Sequence, residues 1–264
     1  MIKFSIIINT HNQEQYIYDS VKSCLNQRYK NYEIILINSS KQKINFKKFS
    51  SQESKKIKYL HVKTKYKQPE LNQMNKILIG LKKSTGNYLV FMDGDDIFKK
   101  NKLSELNKIL KKNQIGCNQD LPTLIENNLR KKFKKKVFKY NIFMKYIFTQ
   151  WPQVYGTSSI LVKKDILKRF FNKAKPFKWK LLAIDVQIIL FCKKYYNQHN
   201  YLSALTQKRI HTNNLGANYM NFFKKIFWLR RNMQFDYCKF IRIKNDISLD
   251  FIITKIAYFF LKNL

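Results

Sequence analysis

The sequence predicts an α/β fold built on a mostly parallel sheet. Apolar, β-branched runs alternate with amphipathic helical segments through the first hundred residues. Repeated β-α-β order in turn calls for right-handed crossovers that bring successive strands parallel. A third observation concerns what the sheet would hold: three of the sixteen acidic residues, Asp93, Asp95 and Asp96, stand together directly after the fourth apolar run. The 264 residues, 45% hydrophobic and 15% aromatic, suffice for one large domain, or one with an appendage, and exclude wholesale disorder.

Residues 4–8 form the first expected strand. Asn12 is read as the N-cap of a helix whose one face carries Tyr16, Ile17, Val21, Cys24 and Leu25. Residues 33–37 and 57–62 are the next strands. Leu71, Met74, Ile77, Leu78 and Leu81 stripe a helix that Gly86 helps to end, and residues 88–92 are the fourth strand. Residues 99–110 predict a helix. The stretch 113–139, with its basic run from Arg130 to Lys136, reads as an irregular surface excursion, because so dense a run of lysine resists burial. Residues 154–162 and 201–210 read as strands, 184–195 as a helix, and everything after about Asn218 as helical. The expected division is a domain over 1–216, with halves 1–98 and 99–216, and a basic helical extension over 217–264.

The net charge of +36, from 52 Lys and Arg against 16 Asp and Glu, implies attraction to nucleic acid, anionic lipid or phosphorylated substrates. Lys, Asn, Ile, Phe and Tyr abound while Gly and Pro number 6 and 4, a bias that AT-rich codons also produce, so charge alone identifies no ligand. Cys24, Cys117, Cys192 and Cys238 lie far apart without a CxxC pair and read as reduced thiols of a cytosolic protein. The apolar start is too brief for a signal peptide, and no apolar run approaches the roughly 18 residues of a membrane span.

Carboxylates as close as those of residues 93–96 repel one another unless a cation or hydrogen-bond donors offset them. Ligands of open α/β sheets bind beyond the carboxyl ends of the strands, and Mg²⁺ and Mn²⁺ favour carboxylate, water and phosphate oxygens. A solvated turn of helix-capping aspartates is the alternative.

Residues 86–96, Gly-Asn-Tyr-Leu-Val-Phe-Met-Asp-Gly-Asp-Asp, resemble the G-x-Y-[ILV]-x-F-[LM]-D-x-D-D stretch of family 2 glycosyltransferases. Residues 4–12 are similar to that family's S-[IV]-[IV]-[IV]-P-[TA]-[YH]-N opening, and 80–86 to the helix end before its fourth strand. The resemblance covers the first hundred residues and returns in patches to about residue 216. It implies a GT-A fold and inverting transfer of a sugar from a UDP-, GDP- or dTDP-sugar to a glycan or lipid-linked hydroxyl, with Mn²⁺ or Mg²⁺. By the same resemblance Asp93 contacts the donor ribose, Asp95 the metal, and Asp96 orients either. Asn9, Thr10, Asn12, Asn38 and Ser39 line the nucleoside pocket. Asp185 is the general base, and His211 a metal ligand or a donor to the diphosphate. Trp151 and residues 156–159 resemble the acceptor-side wall.

Four positions depart from the family pattern: Asn9 stands for Pro, Asn38 for a carboxylate, Leu78 for Asn and Ile184 for Glu. They leave a catalytically degenerate scaffold as an alternative. Nucleic-acid binding is a further one, but no recognisable module is present and no nucleic acid is expected. Two readings stand for the tail: helices packed on the core, or helices in the interface of an anionic membrane, with lysines reaching lipid phosphates.

Overall fold

The computed structural model describes residues 1–113, 115–126, 129–132, 142–149, 151–201, 203–211, 221–243 and 247–262. The first part runs β1 (Phe4–Thr10), α1 (Ile17–Leu25), β2 (Tyr32–Asn38), α2 (Ser51–Lys55), β3 (Ile57–His61), α3 (Pro69–Lys83) and β4 (Tyr88–Asp93). There follow β5 (Ile97–Phe98), α4 (Lys102–Lys112), β6 (Cys117–Asp120), β7 (Thr123–Glu126), β8 (Leu129–Lys132), α5 (Ile142–Ile147), β9 (Ile160–Lys163) and α6 (Lys164–Lys173). The last elements are α7 (Ile184–Tyr195), β10 (Gln198–Tyr201), β11 (Thr206–Arg209), α8 (Lys225–Phe240) and α9 (Leu249–Leu261).

Seven strands make the main sheet in the order β10-β6-β9-β4-β1-β2-β3, and four make a smaller one, β5-β11-β7-β8. In the main sheet only β9 runs against its neighbours, β4 and β6. The strand order reverses at β1: β2 and β3 extend to one side, and β4 returns to the other. Such a switch point leaves a crevice at the strands' carboxyl ends.

The central strands are apolar on both faces because helices cover both. Ile7, Ile35, Ile37 and Phe91 pack with Met74 and Ile77 of α3 and Ile188 of α7. Ile6, Ile8, Leu36, Val90 and Met92 pack with Val21 and Cys24 of α1 and Leu103 of α4. The smaller sheet is tied to the main one by Lys102. Its Nζ, wholly buried, lies 2.7 Å from Asp120 Oδ1, 2.8 Å from the Ser158 carbonyl and 2.6 Å from Thr206 Oγ1.

The α/β reading and helix 184–195 hold, and the first four of the six expected strands are present with ends shifted by one or two residues. Other expectations are corrected. Asn12 caps no helix: it adopts a left-handed φ of 52° and donates its N–H to Ser40 Oγ, while α1 begins at Ile17. Helix α3 ends at Lys83, before Gly86, on Ser84, whose hydroxyl donates to the Leu81 carbonyl. The stretch 113–139 is not simply irregular, since β6, β7 and β8 lie in it; residues 133–139 fall outside the described residues. Residues 154–162 start with a 3-10 turn at Thr157–Ser159 before β9, and 201–210 splits between β10 and β11, in different sheets.

Candidate functional site

The acidic turn sits where β4 leaves the sheet beside β1, with Asn9 paired in register to Asp93. Gly94 is dictated by space: a Cβ there would stand 2.7 Å from Thr10 Cβ and from Gln13 Oε1. Its N–H donates to the Asn9 carbonyl, and Ser20 Oγ donates to the carbonyls of Gly94 and Asp96. The backbone is thus fastened, and the three carboxylates differ in their surroundings.

Asp93 Oδ1 accepts from Gln73 Nε2 of α3 at 2.8 Å, and its N–H donates to Ser158 Oγ. Burial, then the neighbouring charges of Asp96 and Asp95, push its carboxyl well above the usual range, and Asp185 adds to this. Asp95, 7% exposed, has Oδ2 2.8 Å from His211 Nε2. Asp96 Oδ1 accepts the Arg209 N–H at 3.0 Å; burial and the Asp95 charge raise its carboxyl to about 7. Lys208 is the cation that eases both Asp93 and Asp96. It reaches past Gly156, whose φ of 103° and missing side chain leave room for its Nζ.

Strand β11 therefore delivers the second half of the site. It ends beside α1, where the Arg209 guanidinium lies 4.8 Å over the Tyr16 ring and 2.9 Å from Asp19, and where His211 stacks on Tyr16 at 5.3 Å. Asp185 opens α7, whose first turn offers its own Val186 N–H to Asp185 Oδ1 at 2.8 Å. Neighbouring Ile184 is fully buried, so at that departure the side chain belongs to the core.

A cleft of about 260 Å³ opens beyond β1 and β2, lined by Thr10, Tyr18, Asn38, Ser40, Gln42 and Lys43 among others. Asn38 stands in its wall, but its amide serves the loop: Oδ1 accepts from the Ser40 N–H and Nδ2 donates to the Gln42 carbonyl, both at 2.8 Å. An aspartate could not make the second bond, which accounts for the amide here. Ser39 Oγ and the Thr10 carbonyl both accept from Lys76 Nζ; burial lowers that ammonium to about 8, against the pull of Asp93. Asn9 is 3% exposed, and neither end of its amide has a partner among the described residues. A larger open cleft near Asn113, Tyr196 and His199 contains none of the candidate residues.

The structure thus brings Asp95 and His211 into contact, gathers Asp93, Asp96 and Asp185 within electrostatic reach, and puts Thr10, Asn38 and Ser39 around the adjoining β1–β2 edge. Trp151 packs instead against Phe235 of α8, at 4.9 Å. Of the Arg209–Asn214 segment, residues 212–214 lie outside the described residues. Sequence reasoning missed Gln73, Lys76 and Lys208, whereas Ser158 lay within the 156–159 stretch it singled out. Lys208 adjoined the segment singled out, whereas no local pattern marks a buried lysine inside a helical stripe.

Among the described residues no three His, Cys, Asp or Glu side chains converge to cage an ion. Mg²⁺ and Mn²⁺ do not require a cage: one or two protein ligands suffice when phosphate and water complete the shell. Asp95 with His211, beside carboxylates that few cations offset, fits that donor set.

Comparison with known proteins agrees with this geometry. The model of "Glycosyl transferase family 2" matches residues 5–171. An uncharacterized glycosyltransferase of Rickettsia bellii is 32% identical over 165 residues, 60% of this chain and 23% of its own length. One from Methanocaldococcus jannaschii is 26% identical over 233 residues, 79% and 76% of the two chains. The chain spans about a quarter of the Rickettsia bellii relative. Among solved structures, residues 1–349 of Staphylococcus aureus TarS with UDP-GlcNAc align at TM-score 0.62 and 14% identity, covering 98% of this chain and 73% of that one. The mannosyltransferase PcManGT of Pyrobaculum calidifontis, with GDP-Man and Mn²⁺, aligns at 0.58 and 12%, covering 98% and 70%. These likenesses give the chain the GT-A fold. With the family model matching more than half its length and an acidic turn at the switch point of its sheet, the chain belongs to glycosyl transferase family 2.

Proposed function

We propose that the chain transfers a sugar from a nucleoside diphosphate donor to a hydroxyl of a glycan or lipid-linked acceptor, with inversion, on the cytoplasmic side of a membrane. The observation that carries this reading is the acidic turn at the β1–β4 switch, where His211 meets Asp95 and few cations offset the carboxylates. The UDP-, UDP-GlcNAc- and GDP-Man-bound neighbours support a nucleotide-sugar partner.

In this reading the nucleoside occupies the cleft beside Thr10, Asn38 and Ser39, and Asp93 holds the ribose. Asp95 and His211 hold Mn²⁺ or Mg²⁺, which when bound stabilises negative charge on the leaving diphosphate. Lys208 faces the same charge from β11. Asp185 takes the proton from the acceptor hydroxyl as its oxygen attacks the anomeric carbon. The bond from that carbon to the diphosphate oxygen breaks, and its electron pair leaves with the diphosphate. Asp96, tied to the Arg209 N–H, orients the end of β11 against the turn.

A second reading, a scaffold that has lost activity, is favoured by the commitment of the Asn38 amide to its own loop and by the buried Ile184. A screen of UDP-, GDP- and dTDP-sugars with Mn²⁺ or Mg²⁺, reading released nucleoside diphosphate, separates the two. Release with one donor is expected; binding of donor without release under any acceptor supports the scaffold instead.

A further inference from the structure

The C-terminal helix is built inside out. Helix α9 carries Leu249, Ile252, Ile253, Ile256, Phe259 and Phe260 at spacings of three and four, each between 43% and 66% exposed. At about 100° per residue the six fall within an arc of roughly 120°. The polar side chains turn the other way, onto α8. Asp250 Oδ1 accepts from Arg231 Nε at 2.8 Å, Lys255 Nζ lies 2.8 Å from Asp236 Oδ1, and Thr254 is fully buried. Phe251 packs edge-on against Phe235 on that same side. A helix on a water-facing surface turns its apolar stripe to the core. Here ion pairs pin the helix and a continuous hydrocarbon face is turned outward, the mark of an interaction surface rather than of scattered exposed residues.

We propose that this face docks on an anionic lipid bilayer, with α9 lying in the plane of the interface. Charge decides the occupant. A second copy of a chain carrying +36 brings the same sign to the contact, whereas an anionic leaflet brings the opposite one. A cation stands at the end of the stripe: Lys262 Nζ lies 5.4 Å over the Phe259 ring. Exposed Lys224 and Lys225 follow the exposed rings of Phe222 and Phe223 at the start of α8. Thirteen residues give a helix about 20 Å long, short of the roughly 30 Å hydrocarbon layer, so α9 lies on the bilayer rather than through it. Docking follows from this surface alone, and a lipid-linked acceptor would be met in the same plane.

The test is co-sedimentation of the full chain with phosphatidylcholine vesicles, with and without phosphatidylglycerol, in the absence of donor and metal. Binding to the anionic vesicles that weakens with salt is expected. The variant I256D/F259D, altered only at exposed positions and checked by its thermal melt, should lose roughly tenfold or more of that binding. Equal binding by a normally folded I256D/F259D, or no binding to anionic vesicles at low salt, overturns the proposal. So does a wild-type dimer in sedimentation velocity that I256D/F259D dissociates, which assigns the face to a second copy. Because no donor enters the assay, its failure leaves the transferase reading untouched.

Discussion

Among the described residues, the buried charges around Lys102 and those around Gly94 are built on opposite principles. Around Lys102 every demand is met: one ammonium faces Asp120, the Ser158 carbonyl and Thr206 Oγ1, and Asp120 Oδ2 also accepts the Leu205 N–H. Around Gly94 three carboxylates crowd one turn, and burial with mutual repulsion raises two of them. A fully paired cluster holds a fold together. One short of positive charge is a site waiting for it, and stored repulsion of this kind is typical of functional positions.

The largest effects should come from the crowded group. Replacing Asp95 by Ala is expected to lower turnover about a thousandfold or more, given what charge stabilisation at a leaving group contributes. Calorimetry should show nucleoside diphosphate binding that no longer responds to Mn²⁺; an unchanged metal response would remove Asp95 from the site. Asp185→Asn should cut turnover by about 10² to 10⁴ with donor binding near normal. Wild-type turnover in that variant would leave the acceptor proton to another group.

The paired group should answer in stability instead. Lys102→Met leaves Asp120 charged and wholly buried, a change that costs about 3–5 kcal/mol, read by urea denaturation. Adding Asp120→Asn removes the stranded charge while an amide oxygen can still accept the Leu205 N–H, so the double variant should recover part of the loss. If it recovers none, the ammonium's bonds to Ser158 and Thr206 matter more than the ion pair.

The same contrast marks what the sequence made legible. β1, β2 and β4 read as FSIIINT, YEIILIN and YLVFMD, hydrophobic because both faces are covered, and the acidic turn stood out against a basic chain. β6, β10 and β11 read as CNQD, QHNY and TQKR, with no apolar period. Asn118, Gln119 and Asp120 are nonetheless fully buried: Gln119 bonds the Gln153 carbonyl and Asn200, and Asp120 bonds Lys102, while the Asn118 amide has no partner among the described residues. These partners of Gln119 and Asp120 lie 18 to 81 residues away in sequence and meet the strand only in the folded chain, so no local window shows them. His211 was reachable through its segment and Lys208 adjoined it, whereas no local pattern marked Lys76.

Lys76 sharpens the comparison as a buried lysine held by oxygen dipoles, without a carboxylate in ion-pair range among the described residues. Its pKa is lowered from 10.5 to about 8, so between those values the unfolded chain binds more protons than the folded one. Stability from this residue therefore rises with pH across that window, by about 3 kcal/mol in all, and below it the penalty is constant. Other lysines titrate there too, so the readout is a difference: Lys76→Met should lack that part of the rise in denaturation at pH 8 and 10. Parallel curves for the two proteins would mean that Lys76 keeps its charge as easily folded as unfolded.

The smallest effect expected has the most telling sign. Asp93→Asn keeps an oxygen for Gln73 Nε2 and removes one of three mutually repelling charges. A carboxyl raised in the folded state binds a proton more readily there than in the unfolded chain, so wild-type stability falls as pH climbs above the ordinary carboxylate range. The variant escapes that fall. Metal-free Asp93→Asn is therefore expected to be more stable than wild type by about 1 kcal/mol at neutral pH, with the gap closing towards pH 4 and donor affinity reduced. Asp120→Asn, made in the paired group, should move the other way. If both substitutions destabilise alike, the acidic turn is a structural network like that of Lys102, and the case for a cation site at the switch point fails with it.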